Sequence, residues 1–498
     1  MNQKTSIKTF SLQQNKHSQE NKHKIFSFIK STLILCLLFS LSIFVLFAFS
    51  SLPSSPTHHF FPFSLSSWVS SSSTCCNFSD PDPGPTEITH IQFGLGGSSK
   101  TWETRQAYSH LWWNPNKTRG FVWLDDDPPK PTKESFPPFR VSGRAGFRFG
   151  SSKKPTDSDR MARIVKESFE LGLPGIKWFV MGDDDTVFFP ENLAEVLSKY
   201  DYREMYYIGA PSESVEQDVM HGYETGFGGG GFAISYGLAW ELVKILDGCI
   251  KRYHNFYGSD EKVSACVAEL GVPLTKEPGF HQLDVRGDPY GLLAAHPVAP
   301  LVSLHHLVSA KPLFPGENQL DSIKRLLHAY HVDPGRIIQQ SFCYDHRHKW
   351  SVSISWGYTA QLYPSLIPAK VLSMPLQTFD TWRSGSDGPF VFNTRPMKED
   401  PCERPIIYYL DQVKDIGEGK TVSTYTRPSG DDGKECPQPA YKLAMLLKKL
   451  TVSASKTGPE KWMKALRREC CEIRNSFGVD SNMRIEIRSC KPRETITM

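Results

Sequence analysis

Three adjacent carboxylates, Asp183, Asp184 and Asp185, directly follow the apolar run Ile176-Lys-Trp-Phe-Val-Met181 and Gly182. A run of that character reads as a buried strand, so the carboxylates emerge at its C-terminal edge, where open α/β sheets bind their ligands. Held side by side they repel one another. A hard divalent cation takes oxygen ligands, relieves that repulsion and clamps a diphosphate at the same time. The plain alternative is a solvated acidic turn, so the triplet needs its context.

Two further segments supply it. The run Glu224-Thr-Gly-Phe-Gly-Gly-Gly-Gly-Phe-Ala-Ile-Ser235 sets four consecutive glycines, Gly229 and Gly230 among them, beside apolar residues. Glycine permits close backbone approach to a ligand, although a turn would use it as well. Asp260 and Glu261 open a helix, where an acidic residue serves either as a cap or as a general base. Upstream, Gly94-Leu-Gly-Gly-Ser-Ser-Lys-Thr101 comes close to a phosphate-binding P-loop, but Ser99 stands where the glycine before the lysine is required. We read a Gly/Ser turn after a first strand instead, with Arg105 positioned to meet a diphosphate.

The elements that must position these residues alternate between strand-like and helical runs, as in an α/β domain. Ile88–Leu95 and Gly120–Leu124 read as strands. Met161, Ile164, Val165 and Phe169 recur at helical spacing, with Asp157 or Asp159 as cap and Gly172 just beyond. Pro190 opens a helix carrying Leu193, Val196, Leu197 and Tyr200, and further helices cover 238–246 and 260–270. Beyond residue 313 the texture changes to strands. Trp350, Val352, Ile354 and Trp356 alternate with polar residues, as do Met483, Ile485 and Ile487, which predicts strands with one wet face.

In this order the motifs resemble the Fringe-related glycosyltransferases of family 31, and within them a plant Fringe-like group carrying a domain of unknown function. The resemblance spans residues 88–306 and rests on the strand followed by Asp183-Asp-Asp185, on Thr225-Gly-Phe-Gly-Gly-Gly-Gly-Phe-Ala-Ile-Ser235, on Tyr257-Gly-Ser-Asp-Glu-Lys-Val263, and on His296-Pro-Val-Ala-Pro-Leu-Val-Ser-Leu-His-His306. It implies a GT-A fold, a Rossmann-like domain that binds a UDP-sugar with Mn²⁺ and transfers the sugar with inversion, forming a β1,3 linkage. It further implies Asp185 as metal ligand, Asp183 and Asp184 on the donor, and the glycine loop shaping the acceptor side. The base is Asp260 or Glu261. Where the family has Phe-His-Ser-His this chain has Phe280-His281-Gln282-Leu283, which leaves His281 as the metal's histidine, with Asp284, His305 or His306 as substitutes. A noncatalytic lectin-like or scaffold protein retaining the fold is the alternative class.

The remaining sequence assigns a compartment. Residues 31–52 hold no charge and are long enough to cross a hydrocarbon core of about 30 Å. Six lysines precede them, and no further Lys or Arg follows until Lys100, so the positive-inside rule keeps the N-terminus cytosolic. A polar leader and the lack of an A-x-A-like cleavage motif favour an uncleaved anchor over a signal peptide. The expected organisation is a cytosolic basic tail over 1–30, a transmembrane signal anchor over 31–52, a Ser/Pro-rich stem over 53–85, the GT-A domain over 86–313 and a β-rich, disulfide-containing module over 314–498. With the resemblance, this makes a type II Golgi membrane protein whose partners are a nucleotide sugar and a glycan acceptor.

Ten cysteines outside the apolar segment and no C-x-x-C pair favour disulfides over zinc, and Asn77 and Asn116 lie in glycosylation sequons. The formal charge of +4 belongs to the tail, since the chain after residue 30 holds 51 basic and 52 acidic residues. A balance so close to neutral argues against a dedicated nucleic-acid binder.

Overall fold

The central apolar runs assemble into a seven-stranded sheet in the order Phe139–Val141, Arg119–Leu124, Ile91–Gly96, Trp178–Asp183, Phe232–Ser235, Tyr207–Gly209, Leu274–Lys276. Only Phe232–Ser235 runs antiparallel to its neighbours. The computed structural model describes residues 84–128, 135–142, 156–382, 393–428, 436–477 and 481–496. The expected tail, anchor and most of the stem, with Asn77, Cys75 and Cys76, lie outside the described residues. Among the described residues no helix is long and apolar enough to cross a membrane.

The sheet is covered on both faces, which explains strands that are apolar at nearly every position. Trp178 and Val180 enter one core and Phe179 and Met181 the other, the period-two alternation of a strand. The second core is closed by the helices Asp157–Glu170, Tyr236–Arg252 and Ser259–Glu269, of which the last two are joined by the Cys249–Cys266 disulfide. The cap of the first of these helices is Thr156 rather than either aspartate. Its hydroxyl accepts the Asp159 N–H, and Asp159 Oδ2 accepts the Thr156 N–H in return.

Residues 340–488 close a barrel of eight strands, in which Gln340–Asp345 pairs antiparallel with Trp350–Ser355 and closes against Cys470–Asn475. Three disulfides lie in this part, Cys343–Cys471, Cys402–Cys436 and Cys470–Cys490. One hydrophobic core runs from Phe93 and Val180 of the sheet through Phe314 and Leu326 to Ile354, Tyr425 and Ile487 of the barrel. Packing is therefore continuous across residue 313.

One expectation about the barrel is corrected. Met483, Ile485 and Ile487 do alternate with more exposed residues, but Ser351, Ser353 and Ser355 are as buried as the apolar residues between them. Their hydroxyls are small enough to be covered when each finds a partner. Ser351 and Ser355 donate to the carbonyls of Ser365 and Leu293, and Ser353 accepts from the Gln340 amide.

Candidate active site

The strand Trp178–Asp183 delivers the acidic triplet to the C-terminal edge of the sheet. The turn that follows is tied back to the strand. The Asp183 N–H bonds Thr186 Oγ1 at 2.9 Å, and that hydroxyl donates to Gly229 O at 2.7 Å. Asp183 stays partly exposed, while Asp184 and Asp185 are fully buried. Opposite, Ser303–Leu304 pairs antiparallel with Val187–Phe188, which carries His305 to the triplet. His305 Nε2 stands 3.4 Å from Asp183 Oδ2 and 3.3 Å from Asp185 Oδ1. Its Nδ1 faces the Gln282 carbonyl at 3.3 Å, which aims Nε2 at the carboxylates.

These three residues present one nitrogen and two oxygens within 4.8 Å of one another. Both Asp185 oxygens are buried without a hydrogen-bond partner. A buried carboxylate with unmet acceptors, beside a second carboxylate and an imidazole nitrogen, is a donor set that suits a divalent cation. The electrostatics are divided among the triplet. Burial pushes Asp185 up, but the close approach and positive charge of His305, together with the charge of Arg105, outweigh it and hold it at about 2. Burial likewise raises Asp184, to about 7, against the pull of Arg105. His305 is pushed down by burial yet raised to about 10 by Asp183 and Asp185.

Arg105 reaches the cluster from the helix Trp102–His110, with a guanidinium nitrogen 3.0 Å from Asp184 and 3.6 Å from Asp185. The Gly/Ser turn before that helix is pinned by Asp125, which accepts the Ser99 N–H at 2.7 Å. On the other side of Asp183 a narrow cleft is lined by Gly94, Gly96, Gly228 and Asp260. Asp260 Oδ2 accepts the Gly228 N–H at 3.0 Å and Oδ1 accepts the Glu261 N–H at 2.9 Å. Burial, with a smaller push from Asp183, raises the Asp260 pKa.

Glu261 is occupied differently. One of its oxygens accepts the Gly258 N–H at 2.7 Å as a helix cap, and the other lies 2.9 Å from His221 Nδ1. The structure thus brings Asp260 to the cleft and turns Glu261 to capping. The glycine loop acts from behind. A Cβ on Gly229 would lie 2.0 Å from the His305 ring, so only glycine lets that ring in. Gly230 is buried, with its N–H bonded to Gln282 Oε1 at 2.6 Å and its carbonyl bonded to Ser303 Oγ.

His281 is not in the cluster. Its side chain turns to Glu213, Nδ1 to Oε1 at 2.8 Å, and packs on His296 with ring centroids 4.9 Å apart. Of the substitutes read from sequence, His305 takes the position beside Asp185. His306 adopts a left-handed backbone, approaches Asp284 at 3.3 Å and stacks flat on Trp382 at 4.3 Å. Trp382 was not singled out from sequence. It arrives because Phe379–Thr381 pairs with Val285–Gly287, a contact between distant segments that leaves no local signal. Asn116 is exposed in the turn after the helix Trp102–His110, with Thr118 bonded to Asn114.

Comparison with known proteins bears on the same segments. The family model described as "Protein of unknown function, DUF604" matches residues 217–471, just over half of the chain. The Fringe-like model matches residues 109–290 and overlaps it. A β-1,3-glucosyltransferase of Mus musculus is 31% identical over 111 residues, which is 22% of this chain and 21% of that protein. The β-1,3-glucosyltransferase of Homo sapiens is 31% identical over 109 residues, 21% of this chain and 20% of that protein. The chain spans about a fifth of the length of these curated relatives.

Proposed function

This chain belongs to the DUF604 family and carries a Fringe-like segment, and on that premise we propose that it is a glycosyltransferase moving a hexose from a UDP-sugar to an acceptor hydroxyl, with inversion and a β1,3 linkage. The observation that carries the reading is the convergence of Asp183, Asp185 and His305 at a sheet edge, one cleft wall away from Asp260. Asp183, Asp185 and His305 are the residues that would hold a divalent cation such as Mn²⁺, which supplies a clamp for the diphosphate and offsets charge on the leaving group. Arg105 and the partly exposed Asp183 face the donor, and the Arg105 guanidinium adds positive charge beside that diphosphate.

Asp260 takes the proton from the acceptor hydroxyl as the new C–O bond forms. Its raised pKa makes it a stronger base than an ordinary carboxylate, and positioned proton transfer of this kind contributes about 10² to 10⁴ in rate. An α-linked donor attacked from the opposite face then yields a β product. The apolar segment 31–52 and the lysines before it support a type II protein with its body in the Golgi lumen.

A screen of UDP-sugars for UDP release, with the β anomer identified by NMR, tests this reading. Release that depends on a divalent cation and on Asp260 supports it. Binding of glycans without release from any donor would indicate the lectin-like alternative, and an α product from an α-linked donor would defeat the inverting mechanism.

A further inference from the structure

His281 and its surroundings are left unused by the cluster at Asp185. One Glu213 oxygen faces His281 Nδ1 at 2.8 Å, and the other accepts the Leu283 N–H at 2.9 Å. A carboxylate only accepts, so Nδ1 carries the proton of that bond, and in the neutral imidazole Nε2 is then an acceptor. Nε2 is buried and has no hydrogen-bond partner, in a residue only 6% exposed. His281 lines a cavity of about 500 Å³, within the range of roughly 300–1,000 Å³ typical of small-molecule sites.

Arg468 of the barrel lines the same cavity. It gives one N–H to the Gln340 carbonyl at 2.7 Å and lies 4.9 Å over the Phe342 ring. No carboxylate among the described residues pairs with it, and burial alone draws its pKa down to about 10. Most of its five donors are therefore unspent in a half-buried place, where an unpaired charge is costly. Between the two polar groups the walls are apolar, with Phe280, Leu292, Pro297 and Pro375.

We propose that this cavity is a second ligand site, and that it takes a ring compound bearing both a carboxylate and hydroxyl groups, a hexuronate being the simplest case. The free edge of the guanidinium matches the two oxygens of a carboxylate. A ligand hydroxyl supplies the hydrogen that His281 Nε2 lacks, and the apolar walls cover the C–H face of the ring. A neutral hexose meets only the histidine, and an aromatic acid meets only the arginine. The site shares no lining residue with the cleft at Asp183 and Asp260, so this inference does not rest on the transferase reading.

Calorimetric titration of the purified full-length chain with D-glucuronate, D-glucose and benzoate, in the absence of nucleotide and metal, tests it. Glucuronate is expected to bind at least about tenfold more tightly than either control, the worth of one added charge-assisted or buried hydrogen bond. Arg468→Lys keeps the charge and can still reach the Gln340 carbonyl, which guards the fold, but it loses the fork and is expected to weaken glucuronate by about tenfold. His281→Phe keeps a ring and is expected to erase the preference for glucuronate over benzoate. Asp185→Asn is expected to leave glucuronate affinity unchanged. Equal affinity for glucuronate and glucose, no binding of any probe, or undiminished glucuronate binding in a folded Arg468→Lys protein would each overturn the proposal.

Discussion

Two neighbouring carboxylates at one helix start have separable roles, because each is held by different partners. Asp260 faces the cleft, whereas Glu261 caps Gly258 and meets His221. Asp260→Asn is expected to lower kcat by about 10² to 10⁴ while leaving Tm near that of the parent. Glu261→Ala, which removes the oxygen that accepts the Gly258 N–H, is expected to do the reverse, retaining turnover and losing about 1 kcal/mol of stability in a thermal melt. The pH dependence follows from the raised Asp260 pKa: the base works only when deprotonated, so kcat should climb with pH through a midpoint above the ordinary carboxylate value. A rate that is flat across that range would remove Asp260 from the role. At the cation site, Asp185→Asn keeps the shape and discards the charge, so Mn²⁺ binding followed by electron paramagnetic resonance should be lost without a change in circular dichroism.

The loop Gly228–Gly231 and the helix Ser259–Glu269 act as mounts for these side chains. Gly229→Ala would drive a methyl into the His305 ring, so it should weaken Mn²⁺ binding even though Gly229 offers no ligand atom. The helix is anchored by Lys262, which is fully buried and lies 2.6 Å from the equally buried Asp159 at the start of the helix Asp157–Glu170. Removing one partner leaves the other charge uncompensated, so Lys262→Met is expected to cost about 3–5 kcal/mol in urea unfolding. Burial raises Asp159, but the hydrogen bonds from Lys262 and Thr156, with the Lys262 charge, together outweigh it and the folded pKa is lowered. The sign follows: this contribution is present above the ordinary aspartate value and is lost as pH falls through the lowered one. Acid should therefore destabilise the parent more steeply than a Lys262→Met/Asp159→Leu pair.

For the protein as a unit, the shared core decides behaviour. Because Phe93 and Ile487 belong to one hydrophobic cluster, cutting after residue 313 would strip apolar area from the sheet as well as remove the barrel. Such a fragment should be insoluble or molten, and residues 84–498 should unfold in one transition seen alike by tryptophan fluorescence and far-ultraviolet circular dichroism. Two separated transitions would show that sheet and barrel fold independently. The type II orientation proposed above makes one further prediction: protease added to sealed microsomes should spare the body and trim only the lysine-bearing tail, and digestion of the body would overturn that orientation.

Much of this molecule is written in local pattern. A buried strand ending in Asp183-Asp-Asp185 and a helix opening at Asp260 are legible because apolar runs and capping residues act over a few positions, and motifs in fixed order carry the family likeness with them. Local pattern could not choose among His281, His305 and His306, since that choice is made by which strand edge pairs with which. The pairing of Ser303–Leu304 with Val187–Phe188 puts His305 at the triplet, while the Glu213 carboxylate draws His281 away to another cavity. The buried serines of Trp350–Ser355 and the stacking of Trp382 on His306 belong to the same class. Burial and contact between residues far apart in the chain depend on what the rest of the fold lays over them, and period-two alternation does not encode that.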